Sequence, residues 1–525
     1  MLNSTSIPIA WKQVTATIVL GIDRAGSQPV KTSGLAGELI AALPDEDSIA
    51  RQLDAAGCLA VLTRAGASFE HSSVESLPCS DCKLRQPTLA ASQLLASVLK
   101  LGLPELLAEW CCLGAAAGIR IADELLPQVL HRLADNPDGV YVPFVLQTLG
   151  NRGRWLAEQN PTWKAVLGVL NDPESTLENG FTSEQVRALR LVRLKNTGRA
   201  REILQSWFDG IAEERTRLIT VLEQGLSGAD ETFLESLLDD KAAGVRRAAA
   251  ELLARLPQSA YVRRMVDRIS MLVTIRRSGA KLLRKGRLTL VVDFPEPGDK
   301  ELTRNAVEFK VKGKLGTKAH ALSQMIGVVP LRHWTDPANA TPGELVGAAT
   351  NTEWSEPLLL GWTIASIRQR DVVWARAVIF EYFRQQVVEA TDEANQWLPQ
   401  LVGVLEPANR EQVAGDLLAK AGAWNGPFLV RFLESCDQHW SQRFSETVLT
   451  SLRRHIAKTR GTFNESLRRL IDQRFAFSFH PGLADEFAGG WPTDADWWPR
   501  WLAEVIDKVA RILGIRKDMH QELTK

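Results

Sequence analysis

The 525-residue chain has no surplus of charge of either sign: 62 Lys and Arg stand against 62 Asp and Glu. That balance removes any whole-protein electrostatic case for a polyanionic partner or a membrane surface, so only a local patch can make one. Long apolar runs are also missing. No segment approaches 18 uninterrupted apolar residues, and no membrane span is expected. The opening MLNSTSIPIAWKQ lacks the basic stretch and apolar core of a secretory signal, which makes the cytoplasm the expected location. Cysteine is scarce, six in all, and Cys111 and Cys112 are adjacent, so reduced thiols are expected rather than a disulfide framework. The motifs HExxH and GxSxG and the protein-kinase set are absent, and the eight His residues show no ligand spacing. No catalytic residue and no cofactor is therefore assigned from the sequence.

What the chain does contain is helical periodicity. In DDKAAGVRRAAAELLARLP, from Asp239, the residues Val245, Ala248, Ala249, Leu252, Leu253 and Leu256 fall on one helical face. The preceding DETFLESLLDD supplies a partner helix, and the two meet across the Lys241 to Gly244 turn. Sliding back 45 residues, Ala200, Ile203, Leu204, Trp207 and Phe208 occupy the same template. A period of roughly 40 to 47 residues belongs to HEAT and armadillo arrays. The expected fold is mainly all-α, a HEAT/armadillo-like α-solenoid of helix pairs.

Four regions are expected: an N-terminal helical segment and linker (1–86), a helical array (87–286), a small β-prone insertion (287–317) and a second helical array with a Trp-rich end (318–525). Within the insertion, Leu288 to Phe294 and Val307 to Lys312 flank a Pro, Gly and Asp cluster, the pattern of a hairpin near 287–313. GKLGTKAHALSQ, from Gly313, lacks phosphate-loop spacing and is read as a loop entering a helix.

Three constellations merit a functional reading. Cys79 and Cys82 form a CxxC, with His71 upstream and Cys111 and Cys112 downstream, a weak candidate zinc site because the second pair sits in an apolar helix. From Arg263 to Arg287 the chain carries nine basic residues, Arg263, Arg264, Arg268, Arg276, Arg277, Lys281, Arg284, Lys285 and Arg287, against the single acid Asp267. A helix through this run places Arg277, Lys281, Arg284 and Lys285 on one face, able to follow phosphates or an acidic protein surface. Against nucleic acid, no aromatic residue is interleaved to stack a base, and an apolar stripe of Met265, Val266, Ile269, Leu272 and Val273 makes the charges an ordinary solvated face. Trp491, Trp497, Trp498 and Trp501 crowd the C-terminal stretch, as core, cap or partner anchor.

The arrangement Asp240, Val245, Arg246 resembles the HEAT-repeat signature, in which an Asp in the inter-helix turn and an early Arg join neighbouring repeats. The resemblance makes Asp240 and Arg246 a structural joint, with Arg246 facing the next repeat and Arg247 freer to face solvent. More widely, VLGIDR, LLAEWCCLGAAAGIRIADELLPQVL, GNRGRWLAEQNPTW and GKLGTKAHALSQMIGVVPLRHW resemble, in that order, an uncharacterised bacterial family of HEAT-like helical proteins. Such proteins are encoded near SWIM zinc-finger, MoxR-type AAA ATPase and von Willebrand factor A-domain proteins. The resemblance implies a non-catalytic scaffold or adaptor that binds a protein partner, the AAA ATPase or the A-domain protein. Nucleic-acid binding through the 263–287 patch is the alternative, followed by a DNA glycosylase, since some of these use HEAT-like folds, or a zinc-dependent enzyme.

Overall fold

A computed structural model describes residues 6–20, 30, 32–44, 47–65, 83–171, 177, 182–206, 208, 210–278, 286–295, 297, 299–309, 316–350, 352–385, 394–420, 422–460, 462 and 465–525. These form 29 α-helices and one two-stranded antiparallel sheet, a mainly all-α fold. No described helix is long and apolar enough to cross a membrane. The chain divides into two compact units, Met1–Cys79 and Ser80–Lys525.

The first unit contains the helices Ser6–Leu20, Leu35–Ala41 and Ser48–Ala65. Asp47 opens the third by accepting a bond from the Ile49 amide at 2.9 Å, which satisfies one of the orphan donors of a helix start. Among the described residues its buried apolar core is Ala10, Val14, Ala36, Ile40, Ala55 and Leu59. Half of that core is alanine, so the helices gain little from apolar burial.

The second unit is built by helices that mostly pack on near neighbours in the chain. Leu89–Leu101 lies on Pro104–Ala116, Thr182–Lys195 on Thr197–Ser206, Ala212–Ile219 on Ala243–Leu253, and Ser355–Gln369 on Val372–Gln385. Local chemistry sets the boundaries. Thr88 caps the first of these helices by accepting from the Ala91 amide, and Gly102 ends it in the left-handed region at φ 71°. The stretch from Val142 to Glu158 reads as one helix by spacing, yet Gly150, at φ 66°, breaks it into Val142–Thr148 and Gly150–Glu158. Where Thr317–Ile326 crosses Ser355–Gln369, a Cβ on Gly361 would stand 2.5 Å from the Ile326 side chain. Glycine is what lets the two backbones approach there.

Both apolar stripes read from the sequence face inward. Val245, Ala249, Leu252 and Leu253 are buried, as are Ala200, Ile203 and Leu204 on the earlier helix. Phe208 meets Phe233 edge to face at 5.4 Å, and Trp207 lies outside the described residues.

The sheet corrects the expected hairpin. Arg287–Val292 is a strand, but it pairs with Val273–Ser278 upstream, in the register Val273 with Val292 through Ser278 with Arg287. Downstream, Lys300–Arg304 is helical and no described residue from 307 onward joins the sheet. Val273, Ile275 and the Leu288, Leu290, Val292 row supply the β-branched and apolar alternation that a paired surface needs. That pairing outweighs the helical reading of Arg276 and Arg277.

The last helix, Arg500–Leu523, does not stop beside its immediate predecessors alone. It packs on Glu465–Gln473, Phe475–Ser478 and Ala484–Ala488, and also on Leu89–Leu101 and Pro104–Ala116, the first two helices of its unit. Thr88 donates to Glu522 Oε1 at 2.6 Å across the same junction.

Candidate functional site

The strand at Val273–Ser278 redistributes the basic run. Successive side chains on a strand point to opposite faces, so Arg276 and Arg277 part company. Arg276 shares the exposed face of the hairpin with Thr274, Ser278, Arg287, Thr289 and Val291. Arg277 turns inward, donating to the carbonyls of Ala338, Gly286 and Asn339 at 3.2 Å each, with Glu344 3.7 Å away. The expected single helical face of Arg277, Lys281, Arg284 and Lys285 does not form, because Arg277 is on a strand; the other three lie outside the described residues.

On the helix before it, Ala260–Leu272, Arg264 reaches Glu235 and Asn305 at 3.0 Å, and Arg268 reaches Asp299 at 2.5 Å and Glu301 at 2.6 Å. Both are ties between elements. Arg263 is exposed on the same helix. Of the nine basic residues, Arg263, Arg276 and Arg287 are the exposed ones among those described.

Asp240 accepts from the Ala242 amide at 2.8 Å and pairs with Arg215 on the preceding Ala212–Ile219 helix. Arg246 turns back on its own inter-helix turn, donating to the carbonyls of Asp240 at 2.7 Å and Lys241 at 3.0 Å. The reach to a neighbouring helix is thus made by Asp240 through Arg215, while Arg246 ties down the turn. Arg247 stands 3.3 Å from Glu308. A cavity of about 440 Å³ opens beside this turn, lined chiefly by Ala243, Arg246, Arg247, Ala306, Val307 and Phe309.

Cys79, Cys82 and His71 lie outside the described residues. Cys111 is a buried thiol on Pro104–Ala116, and burial pushes it up to about 12, so it stays protonated core filler. Cys112 beside it is exposed. No group of three or more metal-ligating side chains is arranged for a metal ion among the described residues.

The C-terminal tryptophans join an aromatic chain through the core: Trp440 against Phe479 at 5.2 Å, Phe479 against Phe487 at 5.4 Å, Phe487 against Trp491 at 5.6 Å, and Trp491 against Trp498 at 6.3 Å. Arg453 stands over the Trp491 ring at 5.1 Å and Arg468 over Trp501 at 4.6 Å.

A buried polar cluster at the last helix is not marked by residue spacing. Glu109, on Pro104–Ala116, is buried and accepts from Arg516 Nε at 2.6 Å. Its other oxygen meets His520 Nε2 at 2.8 Å and stands 3.9 Å from His439 Nδ1. Arg516, fully buried on the last helix, also donates through Nη1 to the carbonyls of Ala476 at 2.9 Å and Phe479 at 2.7 Å, while its Nη2 has no partner. His480 sits at the turn after Phe479, its Nδ1 accepting from the Gly482 amide at 3.1 Å.

Burial works against a charged Glu109, but the His520 hydrogen bond and the Arg516 charge overcome it and bring the carboxyl down to about 2. It is therefore ionised at any physiological pH. His439 and His480 are both held below the ordinary imidazole value. Burial is the first cause for each, and the positive charge of Arg516 also presses on both. The chemistry available is proton uptake by imidazole beside a fixed ion pair.

A signal for this cluster does exist in the sequence. On the last helix Leu502, Ile506, Val509, Leu513, Arg516, His520 and Leu523 follow one helical stripe, with a cation and an imidazole where apolar residues belong. Glu109 likewise interrupts the apolar face of Leu106, Trp110 and Leu113. A charge on a buried stripe demands a partner.

Comparison with known proteins gives a family and no activity. No curated protein matches the chain. The model of a family of unknown function (DUF5691) matches residues 13–523, nearly the whole length, and the chain belongs to that family.

Proposed function

We propose that the protein is a non-catalytic scaffold or adaptor that holds a protein partner, and that the first unit carries the contact. The supporting observation is that each of its three helices bears large apolar side chains in water beside its buried row. Ile9 is 68% exposed, Val19 83%, Ile49 58%, Leu53 54% and Val61 66%. Ile49, Leu53 and Val61 recur every four or eight residues, so they form one stripe along Ser48–Ala65. Concentrated exposed apolar surface of this kind marks protein interaction sites. The family resemblance suggests a MoxR-type AAA ATPase or its A-domain partner as the protein held.

The reading is tested by titrating purified full-length protein with a MoxR-type AAA ATPase and with a von Willebrand factor A-domain protein of the same genome. Binding to either, weakened at least tenfold by Val19→Glu together with Val61→Glu, is the expected result. Failure of both proteins to bind, or binding indifferent to those changes, removes this reading.

A second reading rests on the hairpin, whose exposed face sets Arg276 and Arg287 among three hydroxyl side chains, Thr274, Ser278 and Thr289. Cations and hydroxyls are the groups that contact phosphates. Salt-sensitive DNA or RNA binding that collapses in Arg276→Glu with Arg287→Glu is its signature; no binding at low salt eliminates it.

A further inference from the structure

The residues Thr303 to Phe309 run beside the start of the helix Ala243–Leu253, and the cavity of about 440 Å³ lies between them. Much of its wall is apolar, from Ala243, Ala306, Val307 and Phe309, and Arg246 and Arg247 stand in the same wall.

That wall has unused backbone. Gln324, on the helix Thr317–Ile326, clamps Glu308 from one side: its Oε1 accepts from the Glu308 amide at 3.1 Å, and its Nε2 donates to the Glu308 carbonyl at 2.9 Å. A trans peptide group is planar with its N–H and C=O opposed, so the Val307 carbonyl and the Phe309 amide point away from Gln324. Val307, Glu308 and Phe309 line the cavity and Gln324 does not, which puts those two groups on the cavity's side. Neither finds a hydrogen-bond partner among the described residues.

The charge beside the cavity is positive and largely unanswered. Among the described residues Lys241 is exposed without an ion pair, and Arg246 meets two carbonyls and no acid. Arg247 has only Glu308, at 3.3 Å, and so exposed a pair is worth little in water. The acids of the adjoining turn are engaged elsewhere, Asp239 with Arg304 at 2.6 Å and Asp240 with Arg215. The sequence that follows, from Lys310 to Lys314, holds three lysines and no acid.

We propose that this cavity is a docking site for an extended acidic segment of a partner protein. One residue of the segment pairs its N–H and C=O with the Val307 carbonyl and the Phe309 amide, repeating on the open side what Gln324 does on the other. Its apolar side chain enters the cavity beside Glu308, and a carboxylate two residues away meets Arg246 and Arg247. Main-chain bonds supply affinity in such strand addition, while the pocket and the charge-assisted contacts select the sequence. The site lies in the second unit and does not depend on the contact proposed for the first.

The probe is a fluorescein-labelled octapeptide, blocked at both ends, with leucine at its centre and aspartate two residues to either side. It is titrated with the full chain by fluorescence anisotropy. Binding with a Kd below about 1 mM is expected. It should weaken at least tenfold when lysine replaces the aspartates, when serine replaces the leucine, or when the leucine nitrogen is methylated. Arg247→Glu reverses a charge of the site, and Ala243→Trp fills the cavity from an exposed helix position. Each should weaken binding at least tenfold and leave the melting temperature unchanged. Should Ala243→Trp fail to fold, Arg247→Glu and the peptide series decide the matter. Absence of binding, or binding indifferent to Arg247→Glu or to loss of the leucine, overturns the proposal. An octa-aspartate peptide or a single-stranded oligonucleotide that binds as tightly also overturns it, since charge alone would then suffice.

Discussion

Arg193 and Arg516 are both guanidiniums with no side-chain exposure, each paired with a buried carboxylate, yet they are completed differently. Arg193 reaches both oxygens of Asp230, at 3.1 and 2.7 Å, and the carbonyls of Gln224, Thr197 and Gly225 at 2.7 to 3.1 Å. Asp230 in turn accepts from Arg201 at 2.8 Å and from the Ser227 amide at 3.0 Å. Every group is satisfied, and Arg193 and Asp230 are 37 residues apart. Arg516 joins Glu109 across 407 residues, leaves one Nη without a partner and stands among histidines. The first node is a local lock between the helix Thr182–Lys195 and the turn Gly228–Asp230; the second joins the last helix of the unit to its second. A buried ion pair offsets its desolvation when its hydrogen bonds are complete and carries a residual cost when they are not.

The largest effect expected is from Arg193→Met and Arg516→Met. Each removes the buried guanidinium from a carboxylate that then keeps only its weaker partners, Arg201 and the Ser227 amide at Asp230 or His520 at Glu109, for a loss of up to about 3–5 kcal/mol in urea denaturation. A loss under 1 kcal/mol at either site would mean that its carboxylate relaxes to water. Neutralising the acids by Asp230→Asn and Glu109→Gln keeps the shape and weakens charge-assisted hydrogen bonds, by roughly 1–3 kcal/mol each. The pH response of the two carboxylates should run in the same direction. Both carboxyls are held down, Asp230 by its Arg193 and Arg201 bonds against opposing burial, so their contribution is present above the unfolded carboxylate range, near pH 4, and is lost only below it. Between about pH 7.5 and 5.5, therefore, both carboxylates should stay ionised and neither ion pair should lose strength through its acid.

Smaller effects mark the periphery of the junction. Thr88→Ala removes both a helix cap and the bond to Glu522, at a cost of about 1 kcal/mol in thermal denaturation. Lys508→Ala breaks an exposed pair with Asp472 and should change stability by less than about 1 kcal/mol, with the difference vanishing in high salt.

Much of the helical fold was legible, because stripes such as Val245, Ala249 and Leu252 repeat at a helix's period wherever one face is buried. What resisted reading was decided by pairing at a distance. The strand Val273–Ser278 continues a helical run in sequence and becomes a strand only because Arg287–Val292 returns to meet it. Gly150 splits a helix that spacing alone would join. The Glu109 and Arg516 node was marked by charges on apolar stripes, but nothing local says that those two stripes face each other. Eight scattered histidines carry no spacing signal for the same reason, since His439, His480 and His520 arrive on different elements.

Deuterium exchange at pH 8 on Arg516→Met and Arg193→Met tests most directly whether the last helix is joined to Leu89–Leu101 and Pro104–Ala116, the first two helices of its unit. In Arg516→Met, protection is expected to fall together in Arg500–Leu523 and in Leu89–Ala116, while 182–236 stays protected; Arg193→Met should do the reverse. Unchanged protection across Leu89–Ala116 in Arg516→Met would contradict the junction.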